Sequence, residues 1–356
     1  MKVALLTNIV SPHQLPLAEA IVRRIGAENY LYAYTEPFHE ERARMGWGDG
    51  SAPKWCMPAD SCRDFLLSAD LVYSELRDFD LFESRLARGL KTYYVSERWF
   101  KPILLPFGLM LPGWLKLLHP KYFCMARRLA KLFAYPGFRY LHQGPWAKKD
   151  MQFVCRCMGV DVPEDRYVPW GYFVEPSRLT HAQLTHTLTP NSSTLRVLWV
   201  GRMIGWKRVD TIVKAIRYLT ESCNVHLSVT LVGNGDKKAS LQKQAKGCAD
   251  IKFVDSVPIV EVRNLMQSHD IYVLASNGCE GWGAALNEAL EEGMVALGTR
   301  EAGASAAILP KSHQFYAGDW KALAKLLLSV ARGELGPTGI GEWTAECAAE
   351  KLLAMV

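Results

Sequence analysis

The stretch DIYVLASNGCEGWGAALNEALEEG, residues 270–293, reads as a strand, a short loop, a glycine turn and a helix. Its opening apolar run, bounded by turn residues, is the mark of a buried strand. Gly281 and Gly283 let the backbone come close to a ligand, and the helix expected from near Ala284 presents free N–H groups to an anion at its amino end. Two carboxylates flank the turn. Glu280 lies on the loop, where it is placed to hold hydroxyls of a sugar, and Glu288 lies about one turn into the helix, where it can accept hydrogen bonds from a vicinal diol such as ribose. Alone, such a pair is more often a helix cap and a surface charge.

It does not stand alone, because WVGRMIGWK, residues 199–207, repeats the layout. Gly201 ends a strand, Arg202 follows, and Lys207 comes just before a helical stretch beginning near Arg208. Two cations at the carboxyl edge of a sheet suit a diphosphate leaving group: arginine offers a planar fork and lysine a point charge.

Working outward, short β-rich runs alternate with helix-like stretches in both halves of the chain. In the first half they are 2–8, 29–35, 70–75, 91–97 and 138–143; in the second, 194–201, 226–233, 251–256, 270–276, 294–299 and 313–318. Such alternation implies parallel sheets. The fold class expected is α/β, two Rossmann-like doubly wound domains facing each other across a cleft, with ligands at the carboxyl ends of the strands. The Pro-, Ser- and Thr-containing run 168–194 is the best linker candidate, giving an N-terminal domain at 1–170, a linker at 171–194 and a C-terminal domain at 195–335. For the remaining 336–356, expected to be helical, packing back on the N-terminal domain is one option.

Composition agrees with two cores: 356 residues, of which 49% are hydrophobic, exceed what one core usually organises. The amino-terminal run MKVALLTNIVSPHQ has too few apolar residues and no small-residue cleavage site, so it reads as a first strand and a cytosolic location is expected. Nine cysteines, irregularly spaced, are expected to be mostly buried, reduced thiols. A net charge of +6 does not justify nucleic-acid binding.

The charge is uneven, however. From Trp99 to Lys149 there is no Asp or Glu, while nine Lys and Arg fall inside. The same segment contains ILLPFGLMLPGWLKLL, residues 103–118, too short and too broken by Pro106 and Pro112 to span a bilayer. Two readings stay open: a core helix with a solvated basic face, or a peripheral seat on an anionic membrane surface.

VGRMIGWKRVDTIVKAI, LVGNGDKKASLQKQA, DIYVLAS and EGWGAALNE resemble, in order and spacing, the donor-binding half of retaining glycosyltransferases of family 4, which have the GT-B architecture. The likeness is close over about 195–310; over the first half it rests on TNIVSPHQLPLAEAI and YVSERWFKP, which look like bacterial surface-polysaccharide members. The resemblance implies a nucleotide-sugar donor and a glycan or lipid-linked acceptor. It implies that Arg202, Lys207 and Glu280 form the catalytic group, that Gly201 and the backbone of Gly281, Trp282, Gly283, Ala284 and Ala285 surround the diphosphate, and that Glu288 holds the ribose. One departure is clear: where many members have a glycine-rich amino-terminal loop, this chain has SPHQLP.

On the acceptor side, His13, Glu97, Arg98 and Lys101 follow strand ends of the first half and are its candidate residues; His142 reads as a strand-end histidine that satisfies backbone groups. No acidic pair sits in a loop suited to a metal, since DFD at 78–80 opens a helix in the other domain, so neither metal nor cofactor is expected. Alternatives from other classes are a sugar-nucleotide 2-epimerase and a non-catalytic sugar-nucleotide-binding subunit of a polysaccharide-assembly complex.

Overall fold

A computed structural model of the chain describes residues 1–37, 52–105, 109–177, 194–223, 225, 227–248 and 250–356. Its described residues form two compact units, one of 1–37, 52–173 and 344–356, the other of 174–343. Most of the expected linker, 178–193, lies outside the described residues.

In the first unit the strands are β1 (Val3–Thr7), β2 (Tyr30–Tyr34), β3 (Cys56–Pro58), β4 (Leu71–Ser74), β5 (Lys91–Ser96), the short pair β6 (Ile103–Leu104) and β7 (Met110–Leu111), β8 (Phe138–Gln143) and β9 (Tyr167–Trp170). All but β6 and β7 join one parallel sheet of order β3-β2-β1-β4-β5-β8-β9. The helices α1 (Leu15–Ile25), α2 (Arg63–Ser68), α3 (Phe79–Leu86), α4 (Pro120–Leu132) and α5 (Pro145–Cys157) connect the strands. Because helices cover both faces, β1 and β4 are buried along their whole length, which is why they read as unbroken apolar runs.

The second unit has β10 (Arg196–Val200), β11 (Ser228–Val232), β12 (Ile251–Val254), β13 (Ile271–Leu274), β14 (Val295–Thr299) and β15 (Gln314–Phe315) in the parallel order β12-β11-β10-β13-β14-β15. Its helices are α6 (Val209–Cys223), α7 (Lys238–Gln244), α8 (Ile259–Gln267), α9 (Ala285–Glu291), α10 (Gly303–Ile308) and α11 (Trp320–Ala331). On α6, Val209, Ile212, Val213, Ile216 and Leu219 recur at helical spacing and lie in one core with the β10, β11 and β13 side chains.

The last helix, α12 (Ala345–Leu353), belongs to the first unit. Arg23, 2.5 Å away, and Arg24 at the end of α1 bind Glu346, and Tyr93 Oη donates to the Met355 carbonyl at 2.7 Å. Residues 336–343, expected to be helical, form no helix and stay with the second unit, where Trp343 packs on Trp282 with ring centroids 5.4 Å apart.

Three expectations need correction. Strand β9, at 167–170, overlaps only the start of the Pro-, Ser- and Thr-containing run and ends where the expected linker at 171–194 begins; neither it nor the short strand β3 was among the expected strands. The described residues of 103–118 form no α-helix: β6 and β7 pair antiparallel and 113–118 is a 3-10 helix that follows Pro112. Of the nine thiols, all free, only Cys62 and Cys155 are buried, whereas Cys124, Cys157, Cys223 and Cys347 are exposed because they fall on the outer faces of helices or at their ends.

Candidate functional site

In each sheet the strand order reverses beside the first strand, at β1/β4 and at β10/β13, and the loops leaving those strands open a crevice at the carboxyl edge. In the second unit the first loop carries Arg202 and Lys207, and the second carries Glu280 and leads into the helix α9 that holds Glu288.

The first loop is fixed by backbone contacts that only glycine permits. Gly201 N donates to Val232 O at 3.0 Å, Met203 N to Asn234 O at 2.8 Å and Lys237 N to Met203 O at 2.9 Å. Gly233, at φ +136°, lies so close that a Cβ there would stand 1.9 Å from the Gly201 carbonyl oxygen. The chain then turns through a short 3-10 helix, Gly205–Lys207, passes Arg208 and enters α6. Arg202 is exposed, and its side chain makes no hydrogen bond or ion pair with the described residues.

The second loop is stitched to the first. Asn277 N donates to Trp206 O at 2.9 Å, and Asn277 in turn caps its own loop, accepting from Cys279 N at its side chain and from Glu280 N at its carbonyl, each at 2.9 Å. This delivers Glu280, 8% exposed, onto Lys207: Nζ and Oε2 are 2.5 Å apart, and Ser276 Oγ donates to the same oxygen at 2.8 Å. Lys207 Nζ also stands 4.6 Å from the centre of the Trp206 ring. The two residues expected to face different parts of a ligand are therefore one ion pair, with Glu280 Oε1 left over.

Gly281 and Trp282 are buried, and their carbonyls accept from Gly303 N at 3.2 Å and Ala304 N at 3.0 Å. The Trp282 side chain is core, its Nε1 donating to Asn287 Oδ1 at 2.9 Å. Gly283 takes φ +97°, and it, Ala284 and Ala285 are the part-exposed members of the turn. Helix α9 begins at Ala285 but runs for only 7 residues, so its dipole adds less to anion binding than a longer helix would.

Glu288 is the least expected member in its electrostatics. Only 7% exposed, its carboxyl makes no hydrogen bond with the described residues, and burial pushes its pKa up to about 7, against the pull of Arg263 and with the push of Glu292 and Glu175. Arg263 does not neutralise it, being paired with Glu292 at 2.5 Å.

In the first unit the sequence candidates divide. Glu97 bonds Lys101 at 2.7 Å. Arg98 turns inward, 3.8 Å from Asp150, whose Oδ2 accepts from Phe100 N at 2.8 Å, so it stabilises the 98–100 turn. His13 packs its ring 6.0 Å from that of Tyr172, and burial lowers its pKa to about 4, which keeps it neutral at physiological pH. His142 Nδ1 lies 3.1 Å from the Gly144 carbonyl, and burial lowers its pKa to about 4 as well. Sequence reasoning missed Glu75, at the end of β4: Gln14 from the β1 loop hydrogen-bonds it across the switch point, and burial followed by the nearby Glu97 charge raises its pKa to about 7. The available signal was its place one residue past a strand at the reversal. Asp78, first of the two acids in DFD, caps α3 by accepting from Leu81 N at 2.9 Å. Among the described residues, no group of three or more His, Cys, Asp or Glu is arranged to hold a metal ion.

Residues 194–332 match the family described as glycosyl transferases group 1. Similar solved structures include HepE from Anabaena in complex with UDP, at 13% identity and TM-score 0.61 over 100% of this chain and 97% of that one. Another is a UDP-forming trehalose-phosphate synthase from Burkholderia xenovorans, at 11% identity and TM-score 0.67 over 100% and 98%. The lipopolysaccharide outer core galactosyltransferase WaaB matches at 14% identity and TM-score 0.65 over 100% and 99%. The fold is GT-B. Taken with the family match over the second unit, these likenesses support a glycosyltransferase. No curated protein matches the chain. Among the described residues, no helix is long and apolar enough to cross a membrane.

Proposed function

We propose that this glycosyltransferase is a retaining, metal-independent enzyme of the family 4 type, which moves a sugar from a nucleotide-diphosphate donor to a glycan or lipid-linked acceptor in the synthesis of bacterial surface polysaccharide. The observation that carries the reading is the Lys207–Glu280 pair at the β10/β13 reversal, with the exposed Arg202 on the same loop as Lys207. Arg202 and Lys207 are the groups that would meet the charge gathering on the leaving diphosphate, together with the part-exposed backbone of Gly283, Ala284 and Ala285. Glu288, buried and without a donor among the described residues, suits a ribose diol, whose two hydroxyls would supply hydrogen bonds to it. Glu280, held by Lys207 and Ser276 through Oε2, keeps Oε1 for a hydroxyl of the transferred sugar. That HepE and the trehalose-phosphate synthase are named for UDP supports a nucleoside diphosphate in this role.

Retention is the expectation from the resemblance. The bond from the anomeric carbon to the phosphate oxygen breaks, the acceptor oxygen bonds the same face, and the departing phosphate oxygen takes the acceptor proton. No protein nucleophile is required. Metal independence follows from the lack of an acidic pair in a suitable loop, since charge neutralisation falls to Arg202 and Lys207. In the first unit, His13, Glu75 and Glu97 at the carboxyl edge are the acceptor-side groups.

The test is incubation with UDP-, GDP- and ADP-sugars, with and without glycan and lipid-linked acceptors, following nucleoside diphosphate release and the anomeric configuration of the product. Acceptor-dependent release with retained configuration is expected. An isomeric nucleotide sugar formed without acceptor would make the protein an epimerase instead. A donor at 100 times its dissociation constant should also add ~2.7 kcal/mol of stability, which a thermal-shift screen reads directly.

A further inference from the structure

Seven of the twelve strongly exposed large hydrophobic residues among those described fall between positions 104 and 123. They fall on or beside successive elements of the first unit: the β6–β7 pair, the 3-10 helix Gly113–Leu118 and the start of α4. On the strand pair, Leu104 and Met110 are directly opposed partners, so they occupy one face, and they are 52% and 51% exposed. Trp114 at 45% and Leu118 at 76% follow on the 3-10 helix, and Phe123 on α4.

This piece is anchored firmly enough to present those side chains. Gly113 lies against the chain at Phe100, where a Cβ would stand 2.2 Å from the Phe100 carbonyl oxygen. Lys116 Nζ donates to the Lys101 carbonyl at 3.2 Å, and His119 Nδ1 caps α4 by accepting from Lys121 N at 3.2 Å. The apolar face is thus held by the fold and not by its own collapse.

The charges carried by this piece itself are all of one sign. Phe123, Arg127 and Lys131 follow at i, i+4 and i+8 along α4, and Lys121 starts the helix; the three cations are exposed and form no ion pair with the described residues. Arg128 is different, being spent on Asp80 at 3.0 Å and Glu83 at 3.2 Å on α3. No acid occurs anywhere from Trp99 to Lys149. A protein partner would need an acidic rim around an apolar centre, whereas an anionic bilayer supplies both at once: headgroup charge for Lys121, Arg127 and Lys131, and the acyl boundary for Leu104, Met110, Trp114 and Leu118.

We infer that the β6–β7 pair, the 3-10 helix and the start of α4 form a membrane-docking face that seats the first unit on an anionic lipid surface. Binding is peripheral and reversible. None of these residues lies in 194–332, so failure of this inference leaves the donor-site reading untouched, and the reverse also holds.

Co-sedimentation of the full chain with phosphatidylcholine vesicles, with and without phosphatidylglycerol, at low and high salt, reads the inference. Binding is expected to need the anionic lipid and to weaken with salt. Each cation near such a surface is worth roughly a fivefold change in binding, so the triple change of Lys121, Arg127 and Lys131 to Gln should weaken it by about a hundredfold. Trp114→Ala with Leu118→Ala should also weaken it, by at least about tenfold, through lost apolar burial. All five positions are exposed or ion-pair-free, and circular dichroism of each variant confirms folding. Equal binding to neutral and anionic vesicles, no binding at low salt, or binding unchanged in both variants would overturn it. So would a concentration-dependent dimer abolished by Leu118→Glu and unaffected by vesicles, which would assign the face to a second copy of the chain.

Discussion

Lys207 and Glu280 are 73 positions apart in sequence and 2.5 Å apart in the fold, joined because β10 and β13 are neighbours although two strands intervene between them along the chain. The pair gives Lys207 two duties, one to orient Glu280 and one to stabilise leaving-group charge. Lys207→Ala is therefore expected to cost ~100-fold or more in turnover and also about 1–3 kcal/mol of stability, because among the described residues it leaves a buried carboxylate with Ser276 as its one side-chain donor. Adding Glu280→Gln to Lys207→Ala should restore much of the stability and none of the activity. Additive stability losses in denaturant unfolding would show that the two residues are not coupled.

Arg202 gives the contrasting result. Exposed and without a hydrogen bond or ion pair to the described residues, Arg202 should on replacement by Ala change stability by no more than about 0.5 kcal/mol while turnover falls by ~100-fold. Near-normal activity in both Arg202→Ala and Lys207→Ala would remove the diphosphate assignment.

Gly233 tests whether the cation loop must be rigid. A methyl group at this position meets the Gly201 carbonyl oxygen, a backbone atom that cannot swing aside. Gly233→Ala should push the 201–203 loop off the 233–237 turn, destabilise the second unit by about 1–3 kcal/mol and lower turnover although no ligand-facing group has changed. Wild-type kinetics in a folded Gly233→Ala protein would mean that the loop adapts at no cost.

Much of this was legible because parallel strands buried on both faces appear as unbroken apolar runs: YLYAY, LVYS, VALLT and IYVL all became strands within a residue or two of expectation. The edge strand CMP, with three residues, and YVPW, with a proline, carry too little pattern to be seen. Arg202, Lys207, Glu280 and Glu288 were legible as residue types at strand ends. Their pairing was not, because it depends on strand order, which local sequence does not encode. For the same reason Glu75 was overlooked, although Gln14 reaches it across the β1/β4 reversal just as Lys207 reaches Glu280 across β10/β13.

Charge neutralisation by Arg202 and Lys207 leads to a simple expectation: a chelator leaves transfer intact. Assay in excess EDTA, followed by addition of Mg²⁺ or Mn²⁺, should give the same rate throughout. A strict, reversible requirement for either ion would contradict the metal-independent proposal.

Glu288 supplies the pH dependence. Its pKa of about 7 in the folded chain lies above the ordinary carboxyl value of 4.5, so between the two the folded state keeps a proton that the unfolded state releases. Stability from this group is consequently greatest below about pH 4.5 and is lost as pH rises through about 7, a change on the order of 3 kcal/mol. Glu288→Gln cannot ionise. The variant should match wild type near pH 5 and exceed it in stability at pH 8, and taking the difference between the two proteins cancels Glu291, also raised by burial, and Glu75 in the other unit. Donor binding should run the other way, since a ribose diol donates best to the ionised carboxylate: wild-type affinity should rise with pH through about 7, and Glu288→Gln should bind the donor ~10–100-fold more weakly at pH 8. If the two proteins show the same pH slope in both unfolding and donor titration, Glu288 is not the buried carboxylate that reads the nucleotide.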